Sequence, residues 1–130
     1  GDRSCLNEGL ADAFGSYAGA VPFDDLGPIG NRGHDFRDGC AATDEAHEQG
    51  NCIFWHVREA GYFSDAFFRG IFHPGHPYMF QSCWFDSEET GNNYVVLFSE
   101  AAGTDLSAVV TGAGIPNAGS AAAAKAALGW

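Results

Sequence analysis

Four cysteines in a short acidic chain constrain its fold more than any other feature: Cys5, Cys40, Cys52 and Cys83. Their spacing contains no C-x-x-C pair of a zinc site, and an even number suits two disulfide bonds in a secreted domain. Of the three pairings that four cysteines allow, we favour Cys40–Cys52, which closes a short loop, with Cys5–Cys83 joining the first helix to the rest. The alternative is a reduced cytosolic protein in which these thiols are ordinary core residues.

The balance of charged and apolar residues limits the class of protein. With 130 residues, 45% apolar and 14% aromatic, the chain suits one globular domain over residues 1–130. Six Lys and Arg face seventeen Asp and Glu, which gives a formal net charge of −11. Such a chain repels phosphate backbones and anionic lipid, so we expect neither a nucleic-acid partner nor a membrane. The expected partner is a protein or a carbohydrate, whose identity the sequence does not give.

Local sequence signals predict an α+β fold. An N-terminal helix capped by Ser4 carries apolar residues at helical spacing, and Ser120 caps a short C-terminal helix, Ala121–Leu128, that ends at Gly129. A loop rich in Gly and Pro covers residues 20–40. Runs of β-branched and aromatic residues then predict an antiparallel sheet of about four strands, at 52–57, 78–85, 94–98 and 106–110. The predicted order is helix, irregular region, antiparallel sheet and closing helix, with two disulfides.

A histidine-rich loop is the first candidate site. His73, His76 and Met79 lie three residues apart, and prolines between them stiffen the loop. Imidazole binds copper or zinc and a thioether adds affinity for copper, so these residues predict a metal site. With Tyr78, the two histidines also form a candidate surface for binding a partner. In the simpler alternative, the histidines only cover aromatic surface.

The second candidate site is the pair His34–Asp35 in the glycine-rich loop. A histidine beside a carboxylate is a candidate acid–base pair if the loop turns both side chains toward a cleft. Adjacent side chains usually diverge, so catalysis needs a partner from elsewhere, for which His56 or Glu59 is the candidate. Local hydrogen bonding within the loop, and a half-buried structural role for His56, are the alternatives.

Two segments near the C-terminus, 93–98 and 106–112, resemble the closing strands of secreted microbial guanyl-specific ribonucleases. The early helix, the four cysteines and the acidic composition are also similar. The resemblance implies an antiparallel sheet and either a ribonuclease-like enzyme or one of the fungal effectors that share this fold without catalysis. It covers only the last third of the chain, and the catalytic set is not intact. Thr111 and Gly112 are adjacent where that family has a His between them, and Trp55-His56 stands where a Glu is sought.

Two classes of function follow from these features. The first is a secreted, disulfide-stabilised binding or effector-type protein that contacts its partner through the loop 73–78 and the loop around His34. The second is a small extracellular hydrolase, ribonuclease-like or other, that uses His34, Asp35 and His56 as general acid and base. Copper or zinc binding at His73 and His76 would serve either class. A pocket where these polar groups converge would favour the enzyme, and an exposed apolar patch would favour the binding protein.

Overall fold

The computed structural model describes residues 4–19, 27–30, 32–40, 46–75 and 87–130, with side chains from Gly9 onward in the first helix and from Glu48 onward in the second. These residues form six α-helices, one short 3₁₀ helix and no β-strand. The elements are α1 Ser4–Ala18, the 3₁₀ helix Phe36–Asp38, α2 Ala46–Glu59, α3 Asp65–Phe72, α4 Glu88–Ala102, α5 Ser107–Gly112 and α6 Ala121–Leu128. None of these helices is both long enough and apolar enough to cross a membrane.

The prediction of an α+β fold with an antiparallel sheet is wrong, because three of the four predicted strands are helical. Residues 52–57 belong to α2, residues 94–98 belong to α4, and residues 106–110 form the start of α5. The fourth predicted strand, 78–85, lies outside the described residues. In the part of the chain that is described, strand-like pairing is limited to one isolated antiparallel bridge between Ile29 and Asp35.

The wrong prediction has a physical cause, which is that the central helices are buried on every side. All ten residues from Thr90 to Ser99 in α4 are buried, and so are the residues from Glu48 to Trp55 in α2. A helix without a solvent face has no polar stripe, so its sequence lacks the 3.6-residue period that identifies an amphipathic helix. A short apolar run rich in Val, Phe and Tyr then reads equally well as a buried strand.

The helices are arranged around α2 and α4. Helix α1 packs against α2, whereas α3 and α6 pack against α4, and α5 contacts both central helices. One apolar core runs through these contacts, with Phe54 of α2 against Phe98 of α4 at a ring-centroid distance of 5.4 Å. Aromatic residues of the helices therefore supply much of the core.

Glycines bring two helix pairs into unusually close contact. A Cβ atom on Gly9 of α1 would lie 2.5 Å from the carbonyl carbon of Gly50 in α2. A Cβ on Gly70 of α3 would lie 2.8 Å from the Cα of Ala101 in α4. Glycine weakens a helix in isolation by about 1 kcal/mol relative to alanine. Here that weakness is offset because the missing side chain lets two helix backbones approach.

The predicted helices at both ends of the chain are confirmed; Ser4 is the first residue of α1, and its predicted capping role stays a prediction. The chain begins its described part with α1, and the Ser120 side chain accepts a hydrogen bond from the Ala123 amide at 3.0 Å at the start of α6. Helix α6 ends at Gly129, whose φ of 75° is the left-handed conformation that glycine adopts readily. These signals are local, so they hold whatever the fold around them.

The predicted disulfide between Cys40 and Cys52 is confirmed, with a Cα–Cα distance of 5.6 Å. It fixes the end of the loop 32–40 to α2, and both cysteines are fully buried. Cys83 and the side chain of Cys5 lie outside the described residues, so the second predicted bond stays a prediction.

Candidate functional site

A buried carboxylate on α2 holds the glycine-rich loop. Oε1 of Glu48 lies 2.5 Å from Nδ1 of His34, and Oε2 accepts a hydrogen bond from the backbone amide of Arg32. Glu48 is only 1% exposed, whereas the side chain of His34 is 33% exposed. The loop therefore carries a histidine with one ring nitrogen paired to a buried carboxylate, an arrangement that fixes the ring orientation.

The structure pairs Asp35 with Arg37 and not with His34. Arg37 donates to both carboxylate oxygens of Asp35, at 2.8 Å from Nε and 2.7 Å from Nη2, and its backbone amide donates as well. These hydrogen bonds from Arg37 hold the pKa of the Asp35 carboxyl below its ordinary value. Asp35 thus caps the 3₁₀ helix. The carboxylate that contacts His34 is Glu48, fourteen residues away in sequence.

His56 lies in a different environment from His34. Its Nε2 is 2.7 Å from the carbonyl oxygen of Phe36, and burial lowers the pKa of its imidazole, an effect that this hydrogen bond opposes. His56 and Glu48 are eight residues apart on α2, which corresponds to about 12 Å along the helix axis. The two predicted catalytic histidines therefore have different partners. His34 contacts Glu48 near the start of α2, whereas His56, farther along α2, contacts the Phe36 carbonyl.

An aromatic groove lies between α1 and α3. Phe14 and Tyr17 line it from α1, and the remaining lining residues come from α3 and the residue after it: Asp65, Phe68, Arg69, Phe72 and His73. The groove has a volume of about 320 Å³. Three of its rings are substantially exposed, Phe14 by 41%, Tyr17 by 38% and Phe72 by 48%. We call this set of seven residues the aromatic groove.

The rings of the aromatic groove pack on one another both edge to face and stacked. Phe14 meets Phe72 edge to face, with centroids 5.3 Å apart and planes 89° apart. Tyr17 stacks on the buried Phe68 at 4.9 Å, and its hydroxyl donates a hydrogen bond to Asp65. That hydrogen bond raises the pKa of the Tyr17 phenol. The groove is thus a wedge of fixed rings with a carboxylate at its rim.

His73, the one predicted metal ligand that is described, follows α3 as its C-cap residue. Its backbone amide donates to the carbonyl of Arg69 at 3.0 Å, and its side chain is exposed at the end of the aromatic groove. The other predicted ligands and contact residues, His76, Tyr78 and Met79, lie outside the described residues. A copper or zinc site formed by His73, His76 and Met79 therefore stays a prediction.

A second cleft, of about 430 Å³, lies between α4 and the end of α6. Glu88 and Glu89 line it, together with Asn92, Asn93 and Trp130. The amides already serve the fold, because Asn92 accepts from the Ala118 amide at 2.8 Å and Asn93 donates to the Glu89 carbonyl at 2.9 Å. The Asn92 contact connects α4 to the segment before α6, whereas the Asn93 contact lies within α4.

Sequence reasoning missed Glu48, Phe14, Tyr17 and Phe72 as candidate functional residues. The helical spacing of Phe14 and Tyr17 predicts a helix but no binding role, and only the tertiary structure shows that the two rings are partly exposed. Glu48 carried no signal in the sequence, because its partners come from a distant loop.

Comparisons with protein families, curated proteins and solved structures found no match for this chain. The two segments that carry the resemblance to guanyl-specific ribonucleases, 93–98 and 106–112, lie in α4 and in the Leu106–Gly112 region of α5.

Proposed function

We propose that this chain is a secreted, disulfide-stabilised binding protein that contacts its partner through the aromatic groove. The observation that carries the proposal is the exposure of three aromatic rings, Phe14, Tyr17 and Phe72, along one groove between two helices. Aromatic residues are enriched at protein interfaces and supply much of their binding energy. The buried rings beneath them, Phe68 among them, keep the groove in shape before a partner arrives.

The shape of the groove favours a peptide segment of another protein. Flat carbohydrate rings stack on exposed aromatic faces, whereas Phe14 and Phe72 stand at 89° and form a wedge. A wedge of aromatic rings suits a proline or branched aliphatic side chain, as in grooves that bind proline-rich segments. Asp65 and Arg69 both line the groove, so a cation beside that anchor would have to lie next to Asp65 and away from Arg69. The net charge of −11 attracts such a cation over a longer range. The partner we propose is therefore a cationic peptide segment with a proline or aliphatic anchor.

Replacing Phe72 by alanine should weaken binding of such peptides about thirtyfold, since a central aromatic contact contributes roughly 2 kcal/mol. The ligands would be selected from a displayed library of Lys- and Arg-containing peptides with Pro, Leu or Ile at the central positions, and affinity measured by calorimetry. Phe14→Ala should have a similar effect, because the two rings pack on each other.

Ile29→Ala is the matched control for these variants. Ile29 is 52% exposed and lies on the loop 27–40, away from the groove, so its truncation should leave affinity unchanged. Binding of selected peptides that is the same in Phe72→Ala and the wild type would refute the groove as the site. Absence of any peptide enrichment, with selective binding on a glycan array, would replace the peptide by a carbohydrate partner.

Hydrolysis is a second candidate function, favoured by the pair of His34 and Glu48. A general base needs a histidine oriented by a carboxylate, and Glu48 contacts Nδ1, which leaves Nε2 as the nitrogen for proton transfer. RNA and a nitrophenyl ester are suitable test substrates. If this pair is catalytic, His34→Gln should lower turnover at least about a hundredfold. His73→Gln, on an exposed histidine elsewhere, should not lower it. No turnover by the wild type would exclude these two reactions.

A further inference from the structure

Three potential metal ligands meet where the disulfide joins the loop to α2. One donor atom from each of Cys40, Cys52 and His56 lies within 4.8 Å of the other two. Cys52 and His56 are four residues apart on α2, so they project from one face of the helix, and Cys40 arrives from the end of the loop 32–40. A pair of ligands at i and i+4 on a helix is a common element of zinc sites.

The hydrogen bond of His56 prepares its ring for metal binding. Nε2 lies 2.7 Å from the Phe36 carbonyl oxygen, which can only accept, so Nε2 carries the hydrogen and Nδ1 keeps its lone pair. Metal-binding histidines usually donate their other N–H in this way to a carbonyl or carboxylate, which fixes the tautomer and the ring orientation. This contact is independent of the cysteines and points to Nδ1 as a ligand.

We infer that reduction of the Cys40–Cys52 disulfide converts this cluster into a zinc site with two thiolate ligands and one imidazole ligand. A dithiol reductant supplies the two electrons: it is oxidised to its own disulfide, and its two protons pass to the sulfurs of Cys40 and Cys52. Zn²⁺ then displaces both protons, and the thiolates separate to the roughly 3.8 Å spacing of a tetrahedral site with Zn–S distances of about 2.3 Å.

The ligand set matches zinc better than harder ions. Two thiolates and an imidazole are ligands for Zn²⁺, which is commonly bound by Cys and His, whereas magnesium and calcium prefer oxygen. Three protein ligands leave a fourth position for water or for a further side chain. The disulfide and the metal site exclude each other, because the two sulfurs cannot be bonded to each other and serve as thiolate ligands at the same time. The redox state would therefore decide whether the loop is held by a covalent bond or by zinc.

The test is a cobalt titration of the full chain, with Co²⁺ as a spectroscopic probe for zinc. Because Cys40 and Cys52 are fully buried, the chain is reduced with a phosphine in guanidinium and refolded, and its helix content is checked by circular dichroism. We expect one equivalent of Co²⁺ to give thiolate-to-cobalt charge-transfer absorption that Zn²⁺ abolishes. The oxidised protein should show none.

His56→Gln assigns the site without removing Cys5 or Cys83, which become thiols under the same conditions. Glutamine keeps an N–H donor for the Phe36 carbonyl but lacks the imidazole nitrogen, so Co²⁺ affinity should fall at least tenfold. Lys125→Gln, at an exposed position on α6, is the control and should bind as the wild type does. If reduced His56→Gln does not refold, the ¹⁵N shift of the His56 ring on addition of Zn²⁺ to the wild type replaces this comparison. Unchanged affinity in His56→Gln, an unshifted ring, or no cobalt binding would overturn the inference.

Discussion

Replacing Gly91 by alanine should destabilise the protein by about 3 kcal/mol, at the upper end of the usual cost of overpacking. A Cβ atom at this position of α4 would lie 1.8 Å from the carbonyl oxygen of Pro116 and 3.2 Å from Cγ2 of Ile115. The obstacle is backbone, so no rotamer change can relieve it. Urea unfolding followed by circular dichroism would measure the change in the free energy of unfolding.

The segment that faces Gly91 is held in place and cannot retreat cheaply. The Ile115 amide donates to the Val110 carbonyl at 3.2 Å, and Ile115 itself is fully buried. Two residues beyond Pro116, the amide of Ala118 donates to Oδ1 of Asn92 at 2.8 Å. Moving the segment away from α4 would break these contacts, which is why we expect a large effect from one methyl group.

Gly112→Ala is the matched control for Gly91→Ala. A Cβ at Gly112, the last residue of α5, would meet nothing within 4 Å, and its φ is not positive. Alanine is the better helix former, so stability should stay the same or rise by a few tenths of a kcal/mol. If the free energy of unfolding of Gly91→Ala lies within about 1 kcal/mol of the wild-type value, the segment around Pro116 moves away easily, and our explanation of the effect is wrong.

Replacing Glu48 by alanine should destabilise the protein by roughly 3 kcal/mol, because it removes a buried carboxylate that contacts two groups of the loop. The backbone amide of Arg32 and Nδ1 of His34 would both lose their acceptor. Both contacts are partly buried, and a donor left without an acceptor costs about 1–3 kcal/mol where water cannot replace that acceptor. The loop 27–40 should therefore detach from α2 more readily, which amide hydrogen exchange of its residues would detect beside the urea midpoint.

Two further variants test the prediction for Glu48: Glu59→Ala is the control, and His34→Ala measures the contribution of the contact with Glu48. Glu59 is an exposed glutamate on the same helix, so its replacement should change stability by less than about 0.5 kcal/mol. In a double-mutant cycle, Glu48→Ala and His34→Ala should be non-additive, because the two side chains are in contact. Strict additivity would mean that the contact contributes nothing and that Glu48 acts through its other bonds.

The candidate sites show how far sequence reasoning reached. It placed His34 in a loop near a carboxylate, but it chose the neighbour Asp35, which pairs with Arg37, and missed Glu48. Sequence proximity is a poor guide here, because adjacent side chains diverge, whereas a loop folded onto a helix brings distant residues together. The same holds for Cys52 and His56, whose contact with Cys40 depends on where the loop 32–40 ends.

The sequence by itself determined the features that depend on a few neighbouring residues. Ser120 and Gly129 start and end α6, and the Cys40–Cys52 bond closes a loop short enough to be favoured over other pairings. In each case the interacting groups are close along the chain, so the stability of the interaction depends little on the rest of the fold.

Only the tertiary structure decided that the central segments are helices and that the aromatic groove exists. Apart from the half-buried His56, residues 52–57 and 94–98 are apolar and buried because α2 and α4 pack against other helices, and this burial removes the periodicity that would distinguish a helix from a strand. Phe14 and Phe72 form a groove only because the fold brings the two rings, from α1 and α3, to a centroid distance of 5.3 Å. Burial and exposure depend on how the helices pack against one another, so they cannot be predicted from the residues of one segment alone.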